Sequence, residues 1–283
     1  MPSMKALKRR ITSVNNTQQI MKAMNLVAAS KVQKNKTKME AIAPMFLEAK
    51  EFLARGIYCN DVENDIFFAE SSGKRTAYVV VCGERGLCGS YNANVLKKAM
   101  EIMDGKDGEH IITVGAKCKE FFARRKKHMI ADYAGVLENV SYLVAEDIAQ
   151  HLMDLYLSAD LEVRVDELYI VYTQFETLLS QEPCAVKLLP FDSSALSAPK
   201  EIIYEPDVNI YLKKSVPVYL TMFIYGAMVE SAVCEQASRM TSMDAASRNA
   251  GEIVDKLTLQ YNRIRQGAIT QEISEIVGGA NAI

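Results

Sequence analysis

An α/β fold carrying two long terminal helices, wound on each other as an antiparallel coiled coil, is what this sequence predicts. Three observations lead there. Apolar residues step by three and four through the first part of the chain; the same stepping returns over its last part; and between them the pattern changes to short apolar runs separated by glycine turns and helical stretches.

From Met4 onward, Leu7, Ile11, Val14, Gln18, Met21, Asn25, Ala28, Val32, Asn35, Met39, Ile42, Phe46, Ala49 and Leu53 form one seam. No glycine interrupts the pattern before Gly56, and Pro44 is the one proline within it. A helix of roughly 50 residues follows, with a bend expected at Pro44. Gln18, Asn25 and Asn35 are polar positions on an apolar seam, which set register at a cost in stability. The helix is also strongly basic. Lys5, Lys8, Arg9, Arg10, Lys22, Lys31, Lys34, Lys36 and Lys38 face a single acid, Glu40, before residue 41. A solvated helix face, a nucleic-acid or lipid contact, and an acidic protein neighbour all fit that pattern.

After a linker over residues 57–75 the period changes. Thr76–Cys82 is a continuous apolar run of the buried-strand type, followed by the glycine-rich segment Gly83–Gly89. Asn92–Met103 reads as a helix, Ile111–Gly115 as a strand, Ala116–Lys127 as a helix and His128–Tyr133 as a strand. Tyr142–Leu157 is helical, and Val163–Phe175 and Ala185–Leu189 are strands. This alternation predicts a doubly wound domain with a mostly parallel sheet over residues 76–206.

A strand, a glycine turn and a helix start together make an anion site. Here Gly83, Gly86 and Gly89 stand three apart, not as G-x-G-x-x-G, and no Lys-Ser/Thr pair follows as a phosphate loop requires. A tight structural turn is the expectation. His110, His128 and His151 lack partners at metal-ligand spacing. Cys88 lies near a helix start without a placed base, so it reads as a packed thiol.

From Pro217 the seam runs Tyr219, Met222, Gly226, Val229, Val233, Gln236, Met240, Met243, Ser247, Ala250, Val254, Leu257, Tyr261, Ile264 and Ala268. That is about seven heptads, and a helix of about 100 Å at ~1.5 Å per residue. A domain of this size cannot bury such a helix, so it needs a partner. The helix of residues 1–56 at the other end of the chain supplies one to this C-terminal segment of residues 207–283, and the return through a middle domain makes the pair antiparallel.

Totals narrow the class further. The net charge is −2, which argues against a globally basic nucleic-acid binder. No apolar run approaches the ~20 residues of a bilayer span, and the first residues lack a signal-peptide core. Six cysteines without a CxxC pair suggest reduced thiols in a cytosolic setting. On these grounds alone a nucleotide-dependent enzyme with helical arms and a coiled-coil adaptor both remain open.

Longer motifs carry a resemblance. Lys8-Arg9-Arg10-Ile11-Thr12-Ser13-Val14-Asn15-Asn16-Thr17-Gln18-Gln19-Ile20, continuing through Lys22-Ala23-Met24 to Ala28-Ala29-Ser30-Lys31, is similar to the N-terminal pattern of the gamma subunit of F-type ATP synthase. Arg85-Gly86-Leu87-Cys88-Gly89-Ser90-Tyr91-Asn92 resembles that family's glycine turn. Tyr204-Glu205-Pro206, Glu230-Ser231, Glu235, Ala237-Ser238-Arg239-Met240, Met243-Asp244-Ala245-Ala246 and Asn249-Ala250-Gly251 match in order. Tyr261-Asn262, Arg265-Gln266, Ile269-Thr270-Gln271-Glu272 and Glu275-Ile276-Val277 complete it. Met21 stands where the family has Thr, Glu84 where it has Asp, and Ser90 where it has a second Gly. The regulatory cysteine pair of the chloroplast branch has no counterpart here.

The resemblance implies an antiparallel coiled coil of the two terminal helices (residues 1–56 and 207–283) plus a central Rossmann-like α/β domain. It implies a rotor that transmits torque between a membrane c-ring and a ring of three alpha and three beta subunits, with epsilon as a further partner. No catalytic residue, cofactor or metal is implied on this chain, and no nucleic acid. Met24, Arg239, Gln266 and Thr270 are the implied contacts to beta. Ile269, Ile273, Ile276 and Val277 are the implied bearing tip, and Tyr204 and Glu205 the c-ring candidates. The basic N-terminal face then meets the acidic carboxyl-terminal region of beta. The implied location is the cytoplasmic face of a bacterial plasma membrane, held there through the complex.

Overall fold

The computed structural model describes residues 3–56, 66–68, 75–104, 109–160, 163–191, 205 and 207–280. Its elements are α1 (Met4–Gly56), β1 (Thr76–Val81), α2 (Tyr91–Met103), β2 (Glu109–Val114), α3 (Ala116–Arg124), β3 (Met129–Tyr133), α4 (Tyr142–Tyr156), β4 (Glu167–Phe175), β5 (Gln181–Leu189) and α5 (Val208–Ala280). Internal contacts divide the chain into two compact units. One is built from Met1–Ala29 and Arg239–Ile283, the other from Ser30–Ser238.

In the unit Ser30–Ser238 a five-stranded sheet runs in the order β3-β2-β1-β4-β5. β1 pairs parallel with β2 and with β4, β2 pairs parallel with β3, and β5 closes the edge antiparallel to β4. β1 is apolar without alternation because both of its faces are covered. Ala77, Val79 and Val81 pack with Ile148 and Leu152 of α4 and with Leu220 and Ile224 of α5. Tyr78, Val80 and Cys82 pack with Val95 and Ala99 of α2 and Phe122 of α3. The sheet is therefore the middle of three layers.

Two strands start elsewhere than the sequence suggests. β4 begins at Glu167, not Val163, because Val163 and Arg164 turn back on the carbonyl of Asp160, at 3.1 and 2.8 Å. β5 begins at Gln181, not Ala185. Hairpin pairing with β4 recruits the four residues before Ala185 and sets Pro183 opposite Thr173. An edge strand tolerates that proline, since no neighbour requires its missing N–H.

α5 also begins before Pro217. Asp207 supplies the cap: its Oδ1 accepts the backbone N–H of Asn209 at 2.7 Å and of Ile210 at 3.1 Å, filling donors that a helix start leaves unpaired. From Leu212 to Ala237 burial does not follow a heptad stripe. Leu212, Val216, Leu220, Ile224, Ala227, Met228, Ala232, Cys234 and Ala237 are all buried, as in a core helix clothed on several sides. This segment also corrects the reading that no stretch is apolar enough to span a bilayer. An 18-residue window of α5 reaches a mean hydropathy of 1.4, and 67% of that window is buried within the fold.

In the unit Met1–Ala29 with Arg239–Ile283 the heptad pattern holds. Leu7, Ile11, Val14, Gln18, Met21, Asn25 and Ala28 are buried or half-buried on α1, and so are Met243, Ser247, Ala250, Val254, Leu257, Tyr261 and Ile264 on α5. Gln18 Nε2 donates to the carbonyl of Ser247 at 3.0 Å, and Asn25 Nδ2 to that of Met240 at 2.8 Å. A step of seven residues forward on α1 equals a step of seven backward on α5. The pair is antiparallel, and two polar seam residues hold its register. Gly251 faces Gln18 here: a Cβ on it would lie 3.0 Å from Nε2.

Candidate interaction sites

The glycine turn between β1 and α2 is held by side chains on every side. Asn92 of α2 accepts the N–H of Gly83 at 2.8 Å and donates to the carbonyl of Arg85 at 3.3 Å and to Cys88 Sγ at 3.2 Å. Glu235, buried on α5, accepts the N–H groups of Glu84 and Arg85 at 3.4 and 3.3 Å. A Cβ at Gly83 would lie 2.8 Å from the Glu235 carboxyl carbon and 2.9 Å from Asn92 Oδ1, so any larger residue would push these two side chains from their places. Gly86 has open space around it, while Gly89 takes a left-handed φ of 58°. Tyr91 donates to the carbonyl of Ser231 at 3.1 Å, and burial drives its phenol well above the usual range.

Glu84 joins this turn to the rest of its unit. Oε2 accepts the N–H of Ala116 at 3.0 Å and of Gly135 at 2.8 Å, and Oε1 accepts that of Leu137 at 3.0 Å. The donors of this corner, which in a dinucleotide site would face phosphate oxygens, are thus turned onto the chain's own carboxylates. Held in this way, the loop ties β1 and α2 to α5. Sequence reading assigned no role to Glu84 or Glu235; the available signal was a carboxylate inside an otherwise apolar stretch of α5, between Cys234 and Ala237.

The implied beta contacts fall at two levels. The bond from Asn25 to Met240 sets Met24 and Arg239 at one height of the helix pair, where Met24 is half-buried and Arg239 is 7% exposed. Gln266 and Thr270 are exposed, with Thr270 Oγ1 donating to the carbonyl of Gln266 at 2.9 Å. They lie about 40 Å further along α5 at ~1.5 Å per residue, so the four residues do not form one patch. The apolar end stands out plainly. Ile269, Ile273, Ile276 and Val277 are 46, 55, 65 and 54% exposed, and their spacing places them on one side of the helix. Burial of α5 by α1 ends near Ile264. Glu205 is exposed, and Tyr204 lies outside the described residues.

On α1, Lys5, Lys8, Arg9, Arg10, Lys22, Lys31 and Lys34 are exposed, whereas Lys36 lies 3.8 Å from Glu40. Lys38 turns inward, donating to the carbonyl of Val140 with its ammonium 5.5 Å from the Tyr225 ring centroid. His151 Nδ1 sits 2.8 Å from the Tyr133 hydroxyl, which also donates to Asp147 at 2.6 Å. Among the described residues no three His, Cys, Asp or Glu side chains converge as metal ligands, and the five described cysteines are free.

A family profile described as ATP synthase matches residues 3–283. The ATP synthase gamma chain of Heliobacterium modesticaldum is 40% identical over 293 residues, covering 100% of both chains. A gamma chain described as sodium ion specific, from Acetobacterium woodii, is 36% identical, covering 98% of this chain and 97% of that one. Among solved structures, a rotor chain of the Euglena gracilis mitochondrial ATP synthase superposes with a TM-score of 0.68 at 16% identity, over 94% of this chain and 98% of that one. At that identity the likeness speaks for the fold.

Proposed function

Because the chain belongs to the ATP synthase gamma-chain family, we propose that it is the central shaft of its complex and that its surfaces divide the work of coupling. It is a non-catalytic subunit of a membrane-associated ATP synthase, and it couples ion flow to nucleotide chemistry at sites on other chains. The full-length match to gamma chains carries this reading. The antiparallel helix pair supports it: torque needs two helices that cannot slip, and Gln18 and Asn25 lock their register.

Three alpha and three beta subunits surround the paired helices of residues 1–56 and 207–283. The domain of residues 76–206, joined through 57–75, meets the c-ring and epsilon. An asymmetric shaft presents a different side to each of three equivalent sites. Each site's conformational equilibrium then shifts by its differential contact with that side. Ile269, Ile273, Ile276 and Val277 form the apolar bearing tip. Their exposure supports this, because a free apolar stripe on a helix end calls for an apolar sleeve. Met24 with Arg239, and Gln266 with Thr270, are two polar contact levels on beta. The exposed cations of α1 steer the shaft toward acidic beta surface. Glu205 and Tyr204 contact the c-ring. The complex lies on the cytoplasmic face of the plasma membrane, in keeping with the bacterial sources of the relatives.

Reconstitution with alpha and beta subunits tests the reading. The chain is expected to stimulate ATP hydrolysis by the ring, and a ring indifferent to its addition would refute the shaft assignment. Gln266→Ala with Thr270→Ala, at exposed positions, is expected to weaken coupled synthesis while leaving the isolated chain's melting unchanged. Unaltered coupling would remove that contact level, as would intact synthesis after charge reversal at Arg239 for its own level. Association with the ring is expected to slow as salt rises.

A further inference from the structure

Within the unit Ser30–Ser238 an apolar groove of about 240 Å³ opens between α1, β4 and α5. Met39 and Phe46 wall it on one side, and Tyr172, Phe223 and Ala227 form its floor. Two features mark it as more than imperfect packing. The first is Glu230, at one end of the groove. Its carboxylate accepts the backbone N–H of Phe175, yet Oε2 is buried with no hydrogen-bond partner among the described residues. A buried acceptor without a donor is costly. The second is Gly226, also on the lining, in the interior of α5. Glycine there costs about 1 kcal/mol against alanine. Neither a left-handed backbone nor a close neighbour requires it, since a Cβ would meet nothing within 4 Å. The missing side chain leaves the groove open.

We infer that this groove is a binding site for a small apolar amine, whose ammonium pairs with the free oxygen of Glu230 while its hydrocarbon lies over Tyr172, Phe223 and Ala227. Size supports the class. A dry cavity of about 150 Å³ holds benzene, so this one accommodates an aryl ring with a short aminoalkyl tail. Chemistry supports the charge: Tyr172, Cys184 and Cys234 lie around Glu230, and among the described residues no cation is on the lining to neutralise it. Ammonium donors supply the missing hydrogen bond and the counter-charge together.

The experiment titrates phenethylamine, and its uncharged analogue propylbenzene, into the full chain at pH 8, followed by ligand-observed NMR. Wild type is expected to bind the amine at least tenfold more tightly than the hydrocarbon. Glu230→Gln is expected to abolish that preference while still binding the hydrocarbon. Gly226→Leu, which fills the opening, is expected to abolish both, with melting curves verifying that each variant is folded. Absence of amine binding to wild type, or binding that survives Gly226→Leu, overturns the inference. So does a pattern in which both variants impair assembly with the other subunits while amine binding is unchanged, since the groove would then belong to a protein neighbour.

Discussion

Glu84→Ala removes a carboxylate that gathers three separate backbone donors, at Ala116, Gly135 and Leu137. A hydrogen bond to a charged group contributes about 1.5–3 kcal/mol, so three independent bonds would sum to several times that. They are not independent, because they share one carboxylate and its desolvation. Water also reaches Gly135, which is exposed, but not Leu137, which is buried. The expected net loss is therefore about 3 kcal/mol, dominated by the stranded donors of Leu137 and Ala116. Amide hydrogen exchange reads this locally: protection at these two residues should fall about 100-fold, since ~1.4 kcal/mol is a factor of ten. Glu84→Gln is the sharper variant. It keeps one oxygen but turns an NH₂ toward a donor, so it recovers only part of the loss. If Glu84→Ala changes protection less than threefold, or Glu84→Gln behaves as wild type, the carboxylate is not what holds this corner.

Gly226→Ala should raise the chain's stability by about 0.5–1 kcal/mol through helix propensity alone, seen as a higher melting temperature. Glu230 responds to pH. Burial raises its carboxyl from 4.5 to about 7, with Tyr172, Cys184 and Cys234 as its titratable neighbours. Between those values the folded state holds a proton that the unfolded state has released, so stability falls as pH rises through the window and levels off above it. After screening at the partly open rim, the fall is about 1–2 kcal/mol. Glu230→Gln should flatten it and be the more stable protein at pH 8, as urea titrations at pH 5 and 8 would reveal. Cys88→Ala, at a buried thiol in the glycine turn, should cost about 1 kcal/mol and leave coupling in place. Lost coupling would mean that this sulfur does more than pack.

The seam of α1 was legible residue by residue. Every position from Leu7 to Phe46 in the three-four series is buried or half-buried, because one stripe meets one partner. On α5 the same rule holds from Met243 to Ile264 and ends before Ala268, which is exposed; upstream its positions are buried or half-buried, but so are most of those between them. Between Leu212 and Ala237 the helix is covered on several sides, and a stripe cannot be read where burial is not one-sided. The parallel strands were visible as apolar runs. The edge strand β5 was half visible, since pairing with β4, not its own composition, brings Pro183 into the sheet.

Local pattern alone therefore determined the terminal helices, the strand–helix alternation and the absence of a phosphate-loop motif, since each depends on neighbours within a few turns of chain. Tertiary structure alone decided which backbone donors Glu84 and Glu235 serve, which carbonyls Gln18 and Asn25 choose, and that Glu230 ends in an open groove. Those partners lie about 30 to 230 residues away in sequence, and a carboxylate does not reveal from its own segment which distant donor the fold will bring to it.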